Sequence, residues 1–331
     1  MTDQSDLQHA GRPRIDVETA VEAPLQVLVA RLAELTSDEA RTLILRGAVW
    51  IDRHRCREPE RVVHAGQRVV IHFPPSGRYD SIVLTPEDIL WEDQALLALN
   101  KRPGWHANYT PWDVHGTLPT ALAAFLRARD GFDHPLHFLH QLDRDTSGVL
   151  LVSKDPTINP LMQRLFLSGG VHKRYLALAA GRLEQPAYTI VTGHGRGRGG
   201  LFRVYPVEEV GRELPLGRQR VRRMETQITV LARADEATLL EARPITGRTH
   251  QIRLHLAYLG HPLLGDARYG GPLQLGDLPL PHHLLHAAQL SFRHPRGGQA
   301  IDLRAPVPPS WLPFLERLGW MAVVERWWRA A

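Results

Sequence analysis

His140-Gln141-Leu142-Asp143-Arg144-Asp145-Thr146-Ser147-Gly148-Val149-Leu150-Leu151 sets a dense polar cluster directly against the apolar run Val149 to Val152. Such a join reads as a polar loop whose far end is tied into a buried strand. A carboxylate in that place is held by the backbone and does not wave in solvent. Asp, Thr, Ser and Gly are also ordinary turn formers. The segment alone therefore leaves Asp143 open as either a capping turn residue or a catalytic carboxylate.

The chain has 331 residues, room for one large domain and a small one. Its 43% hydrophobic and 23% charged content is that of a soluble globular protein. No stretch approaches the roughly eighteen consecutive apolar residues of a membrane span. The segment Met1 to Pro13 is polar and lacks the apolar core of a signal peptide. Cys56 is the only cysteine, which excludes an internal disulfide and a cysteine-based metal cluster. A reducing cytoplasm is the expected compartment. The net charge of +5 (40 − 35) is compatible with a polyanionic partner without identifying one. Of the 40 basic residues only Lys101, Lys154 and Lys173 are lysines. They lie in or beside the motifs discussed below, and a compact ammonium is not interchangeable with a planar guanidinium.

Residues 1–20 read as a polar tail. Leu25, Leu28, Val29, Leu32 and Leu35 then repeat at helical spacing, and Thr36 with Glu39 forms a capping-box signature for a second helix that Gly47 stops. The β-type runs 48–51 and 68–73 follow, with Arg53, Arg55, Arg57 and Arg61 between them. The junction Leu45-Arg46-Gly47-Ala48-Val49-Trp50-Ile51-Asp52 and the turn Val63-His64-Ala65-Gly66-Gln67-Arg68-Val69 resemble the small RNA-binding fold of the ribosomal-protein-S-four type. A small α+β appendage with a solvated arginine face is the alternative. The expected division is a tail over 1–20, this module over 21–74, a Pro/Gly-marked linker over 75–88 and a large domain over 89–331. Within the large domain the sequence predicts a hairpin over 89–99 ending in Lys101-Arg102-Pro103-Gly104. Helices carrying Leu118, Leu122 and Leu126 and spanning 160–167 are expected, with strands over 174–179, 226–231 and 238–242. His194-Gly195-Arg196-Gly197-Arg198-Gly199-Gly200 reads as a mobile basic loop, open to phosphate contact or simply solvated. The C-terminal tryptophans, Trp311, Trp327 and Trp328, read as helical packing.

A second dense motif is Arg243-Pro244-Ile245-Thr246-Gly247-Arg248-Thr249-His250-Gln251-Ile252-Arg253-Leu254-His255, continuing through Gly260-His261-Pro262-Leu263-Leu264-Gly265-Asp266. Thr246-Gly247 makes a turn, and a helix from about Thr249 ends at Gly260. His250 and His255 are five apart, on different helix faces, unlike the i, i+4 pair of a zinc helix, so no metal site is expected. Arg253, flanked by Ile252 and Leu254 at a buried helix start, requires an anionic partner. Asp143 is the candidate. A bidentate pair would keep it ionised and oriented, as chemistry at a sugar carbon requires, although a purely structural salt bridge has the same signature.

His140-x-Leu142-Asp143-Arg144-x-Thr146-Ser147-Gly148, Lys173-x-Tyr175-Leu176-Ala177 and Thr246-Gly247-Arg248-x-His250-Gln251-Ile252-Arg253-x-His255 together resemble the RluA family of RNA pseudouridine synthases. Gly260-His261-Pro262-x-x-Gly265-Asp266 closes the pattern, with Asn100-Lys101-x-Pro103-Gly104 upstream and Leu285-His286-Ala287 downstream. The resemblance covers about residues 89 to 305. It implies an α+β catalytic domain on a mixed, mainly antiparallel sheet, and it assigns Asp143 as the catalytic aspartate, Tyr175 as the ring that stacks on the target base and Arg253 as the partner of Asp143. Ile252 is expected in the pocket. Lys101, Gln141, Arg144, Lys173, Arg248 and His250 are expected to contact RNA, either ribosomal or transfer. The implied reaction needs no cofactor.

One departure stands beside Asp143: the family usually has Arg where this chain has Gln141. Arg144 is available to compensate. A non-catalytic RNA-binding factor is the reading that Gln141 favours. A glycoside or nucleoside hydrolase is a third, and would want a second carboxylate, for which Asp145 is the candidate.

Overall fold

A computed structural model describes residues 14–197, 201–214 and 219–330. Its contacts gather into two units, one made of the described residues up to Leu84 with Trp105–Asp133, the other of Thr85–Gly104 with His134 onward.

The first unit opens on β1 (Arg14–Glu18), which pairs antiparallel with β6 (Arg68–His72). Part of the expected tail is thus a strand: the alternation Ile15, Val17 packs one face on the core, and Arg68 bonds Asp16 across the pair. Met1 to Pro13 lie outside the described residues. A two-residue ladder joins β2 (Ala23–Pro24) to β5 (Val62–Val63). Helix α1 (Leu25–Ala33) buries Leu25, Leu28 and Val29. The capping box of Thr36 and Glu39 starts α2 (Ser37–Leu45). The strands β3 (Val49–Ile51) and β4 (His54–Cys56) complete a sheet of order β1-β6-β3-β4. The arginine face expected between these strands is only partly free. Arg55 donates to the Thr110 carbonyl at 2.6 Å and lies over Trp50, and Arg57 donates to the Leu45 carbonyl, whereas Arg53 and Arg61 stay exposed. Arg46 pairs with Asp113 and Trp50 Nε1 donates to Pro111 O. These bonds explain why residues 105–133, with helix α3 (Leu118–Asp130), gather with the N-terminal unit although the sequence grouped them with the large domain.

The second unit is built on an eleven-stranded sheet. The hairpin of β7 (Ile89–Glu92) and β8 (Leu96–Lys101) leads to β10 (Ser147–Ser153), on which the two-residue β9 (His137–Phe138) also pairs. Every residue of β10 is buried. After α4 (Asn159–Leu167) come β11 (Val171–Ala180), β12 (Ala187–Arg196), β13 (Phe202–Tyr205), β14 (Arg222–Arg233) and β15 (Ala237–Pro244). Helix α5 (Gln251–Tyr258), a small hairpin of β16 (Gln274–Leu275) and β17 (Leu278–Pro279), then β18 (Leu285–Arg293) and β19 (Ala300–Arg304) follow. The strand order is β13-β12-β14-β15-β11-β18-β10-β8-β7, with β19 on β18. All pairings are antiparallel except β10 with β18, so the sheet is mixed and mainly antiparallel, in an α+β unit. His194 to Arg196, expected in a mobile loop, belong to β12 and pair with β13; Gly195 permits this because a Cβ there would meet Leu214 Cδ1 at 2.7 Å. Arg198 to Gly200 lie outside the described residues. Helices α6 (Leu312–Arg317) and α7 (Met321–Ala330) bring Phe314, Leu315, Trp320 and Trp327 into a core with Leu176, Leu178 and Leu239 of the sheet.

The parallel contact that fixes the start of β10 rests on Gly148. Its φ is +109°, and a Cβ would stand 2.2 Å from the Ala287 carbonyl oxygen of β18. The motif glycine is therefore a strand residue at a close backbone approach. Gly148→Ala is expected to lower stability by about 3 kcal/mol or more, read from chemical denaturation midpoints.

Candidate active site

Asp143 opens the turn that enters β10, with Thr146 N donating to the Asp143 carbonyl at 3.1 Å. Three neighbours fix this turn. Thr146 Oγ1 shares a hydrogen bond with His283 Nε2 at 2.9 Å. Ser147 Oγ and His286 Nδ1 are 2.8 Å apart, and His286 Nε2 reaches the Ala305 carbonyl. From β8, the Lys101 ammonium donates to three carbonyls, those of Arg102 at 3.1 Å, Arg144 at 2.6 Å and Thr146 at 2.8 Å. Lys101 is fully buried. It cannot meet an RNA phosphate there, which corrects the sequence-based expectation: the side chain is a brace beneath the Asp143 loop. The sequence marked it as a charge but not as a buried one. Burial pushes Lys101 down to about 7, against the opposing pull of Asp145 and Asp143.

Arg253 sits in the first turn of α5 and is 7% exposed. Its Nη1 donates to Asp143 Oδ2 at 2.8 Å. Its Nε and Nη2 form a parallel fork on Asp266, at 2.7 and 2.9 Å. The expected bidentate pair thus exists on a different carboxylate. The fork belongs to Asp266, and Asp143 receives the third nitrogen. Burial alone would lower the guanidinium pKa, but the bonds to Asp266 and the charges of both carboxylates outweigh it and raise it, so the cation is permanent. The loop before α5 is locked by Gln251. Its Oε1 accepts from Thr246 Oγ1 at 2.7 Å and Arg248 N at 3.0 Å, while its Nε2 donates to Glu225 O and Thr226 Oγ1.

These elements line a cleft of about 550 Å³. Tyr175 of β11 is buried in its wall, with Ile252, Leu142, Val171 and Leu285 supplying the apolar surface. Burial first, and then the charge of Asp143, raises the Tyr175 hydroxyl pKa, so the ring stays neutral. Asp143 is the one carboxylate among the lining residues. Gln141 is exposed at the cleft and Lys173 is half-buried in it, its Nζ 3.8 Å from the position of a Cβ on Gly247. Burial lowers the Lys173 pKa. Arg248, also half-buried, donates to the Arg223 carbonyl at 3.0 Å. His250 Nε2 stands 3.7 Å from Asp143 Oδ1, which makes it a neighbour of the carboxylate as well as part of the cleft wall.

A second cavity of about 530 Å³ adjoins Asp143, His250 and Arg253 and is lined by Arg144, Asp145, Arg268 and His283. Arg144 is exposed there, its Nε 3.3 Å from the Gly104 carbonyl and 3.9 Å from Asp145 Oδ1. His255 has its two ring nitrogens on the hydroxyls of Thr192 and Thr226, at 3.0 and 2.8 Å. Sequence reasoning missed Asp266, Tyr269 and His283. Asp266 had a signal, since it ends the quoted Gly260–Asp266 block, but its pairing with Arg253 across a helix and a turn did not.

Residues 95–258 match the family model described as RNA pseudouridylate synthase. The chain is 34% identical to RNA pseudouridine synthase 1 of Arabidopsis thaliana, over 68% of this chain and 76% of that one. It is 30% identical to ribosomal large subunit pseudouridine synthase C of Pasteurella multocida, over 86% of each. The solved structure of human RNA pseudouridylate synthase domain containing 4 superposes with a TM-score of 0.58 at 24% identity, covering 70% of this chain and 93% of that one.

The lysine brace gives a pH prediction. The unfolded chain keeps the Lys101 proton up to about 10.4, whereas the folded chain releases it near about 7. Between these values the unfolded state binds more protons, so the Lys101 contribution to stability rises with pH. Denaturation of wild type and Lys101→Met from pH 7 to 10 should show a steeper rise for wild type. Parallel profiles would contradict the assignment.

Proposed function

The chain belongs to the RluA family of RNA pseudouridine synthases, and from that premise we propose that Asp143 is its catalytic carboxylate, acting on uridines of ribosomal or transfer RNA in the cytoplasm. The observation that carries the reading is the Asp143–Arg253–Asp266 chain at the cleft that the buried ring of Tyr175 also lines.

Isomerisation breaks the bond from uracil N1 to ribose C1′, turns the base and joins C5 to the same carbon. A proton leaves C5 and one is gained at N1, so the reaction balances with no redox change or added group. Asp143 accepts a hydrogen bond from the permanent cation of Arg253. It can attack C1′, take a sugar proton on the way to a glycal, or add to the base. The target uridine enters from a helix or loop by base flipping, which costs unstacking energy. Tyr175, Leu142, Ile252 and Leu285 offer the flipped base a flat apolar berth. Lys173, Arg248 and Arg144, with the exposed Arg53 and Arg61 of the N-terminal module, supply phosphate attraction that falls as salt is raised. Gln141 leaves the cleft rim beside Asp143 without a charge, and Lys173 in the same cleft restores one. A hydrolase would need a second carboxylate over the scissile bond, and the cleft holds only Asp143 among its lining residues.

Enzyme added to RNA tritiated at uridine C5 should release tritium to water, and Asp143→Asn should reduce release by at least about a thousandfold. Retained release in that variant would overturn the role given to Asp143. Mapping of pseudouridine in RNA from cells with and without the gene identifies the target, and a site lost from ribosomal or transfer RNA is the expected result.

A further inference from the structure

Arg253 holds only one oxygen of Asp143. Among the described residues, Oδ2 accepts from Arg253 Nη1 at 2.8 Å, while Oδ1 accepts no hydrogen bond and faces His250 Nε2 at 3.7 Å. One contact pins a carboxylate at a point and leaves its plane free to swing about Cβ–Cγ. A second donor on the other oxygen fixes the plane.

The backbone at His250 is strained in a way that serves this geometry. Its φ of +57° and ψ of +23° lie in the left-handed region, where a side-chain-bearing residue is disfavoured. His250 occupies the N-cap position of α5, yet its side chain makes no capping bond. What the conformation achieves is the placing of the imidazole in the cleft beside Asp143. The ring is then held by two residues, Tyr269 and Phe202. Tyr269 Oη lies 2.7 Å from His250 Nδ1, and Tyr269 and Phe202 meet the imidazole edge-on at centroid distances of 5.6 and 5.8 Å. Phe202 is itself stacked on His194 at 4.9 Å. A tyrosine hydroxyl donating to Nδ1 leaves the proton on Nε2, the nitrogen that faces Asp143.

We propose that His250 is a positioning residue of the reaction, whose Nε2–H closes onto Asp143 Oδ1 when a base fills the cleft and so sets the plane of the carboxylate for its attack. Tyr269 acts through it by selecting the tautomer. The proposal rests on the reading of Asp143 as the catalytic carboxylate. Burial pushes the imidazole down to about 4 despite the charge of Asp143, so His250 donates as a neutral ring across the physiological range.

Two variants separate positioning from backbone structure. His250→Asn suits the left-handed backbone, since Asn tolerates that region, but its short amide reaches only the place of Nδ1. His250→Gln fits the backbone worse but carries an amide to the place of Nε2. Steady-state tritium release is measured on RNA tritiated at uridine C5, prepared from cells lacking the gene, with Asp143→Asn alongside and folding followed by thermal unfolding. The expected result is a kcat about a hundredfold below wild type for Asn and within about tenfold for Gln, with KM within about twofold for both. Tyr269→Phe, which loses only the hydroxyl, should lower kcat with KM unchanged. An Asn variant as active as Gln or more so would overturn the proposal, as would a loss confined to KM. If Asp143→Asn kept its release, the reading of Asp143 itself would fall. An inactive Asp143→Asn with the Asn and Gln order reversed would remove only the role of His250.

Discussion

A buried guanidinium organises the candidate active site. Arg253 sits almost out of solvent, and its three nitrogen groups are divided between Asp266, which takes a two-bond fork, and Asp143, which takes the remaining one. A buried charge left without such partners costs several kcal/mol. The arrangement also assigns different tasks to the two carboxylates. Asp266 is 1% exposed and fully engaged, so it anchors Arg253. Asp143 is more open and keeps one oxygen unbonded, facing the cleft.

The sheet exists around that ion chain in a definite way. Strand β10 is buried along its whole length and lies between β8 and β18, so the loop preceding it starts from a rigid base. Lys101, at the end of β8, is in register with Gly148 and caps the loop carbonyls from below. Helix α5 brings Arg253 from the other side, and Gln251 locks the turn that aims it. Precision at Asp143 therefore comes from elements remote in sequence, joined by hydrogen bonds of 2.6 to 3.0 Å.

Much of this was legible in the sequence, for identifiable reasons. The polar-to-apolar join at Ser147–Val149 marked a loop feeding a buried strand, and the capping box at Thr36 and Glu39 marked the start of α2. The Arg253–Asp143 contact followed from the cost of an unpaired charge between Ile252 and Leu254. What stayed hidden depends on register and long-range geometry. Nothing near Lys101 signalled that its ammonium would be buried, because the carbonyls that satisfy it come from residues more than forty positions away as well as from its neighbour. The fork on Asp266 was hidden because one carboxylate was enough to satisfy the sequence argument. Strand β1 was missed because five residues of alternating character carry a weak signal until β6 supplies a partner.

Arg253 holds Asp143 while Asp266, which is not among the residues lining the cleft, anchors it from behind. Asp266→Asn keeps the shape of the anchor and removes its charge. The most direct measurement is the single-turnover rate of tritium release from uridine-labelled RNA with this variant, with RNA binding measured in parallel. The anchoring of Asp143 through Arg253 predicts a rate lower by about ten- to a hundredfold with binding unchanged. A wild-type rate in the folded variant would contradict it.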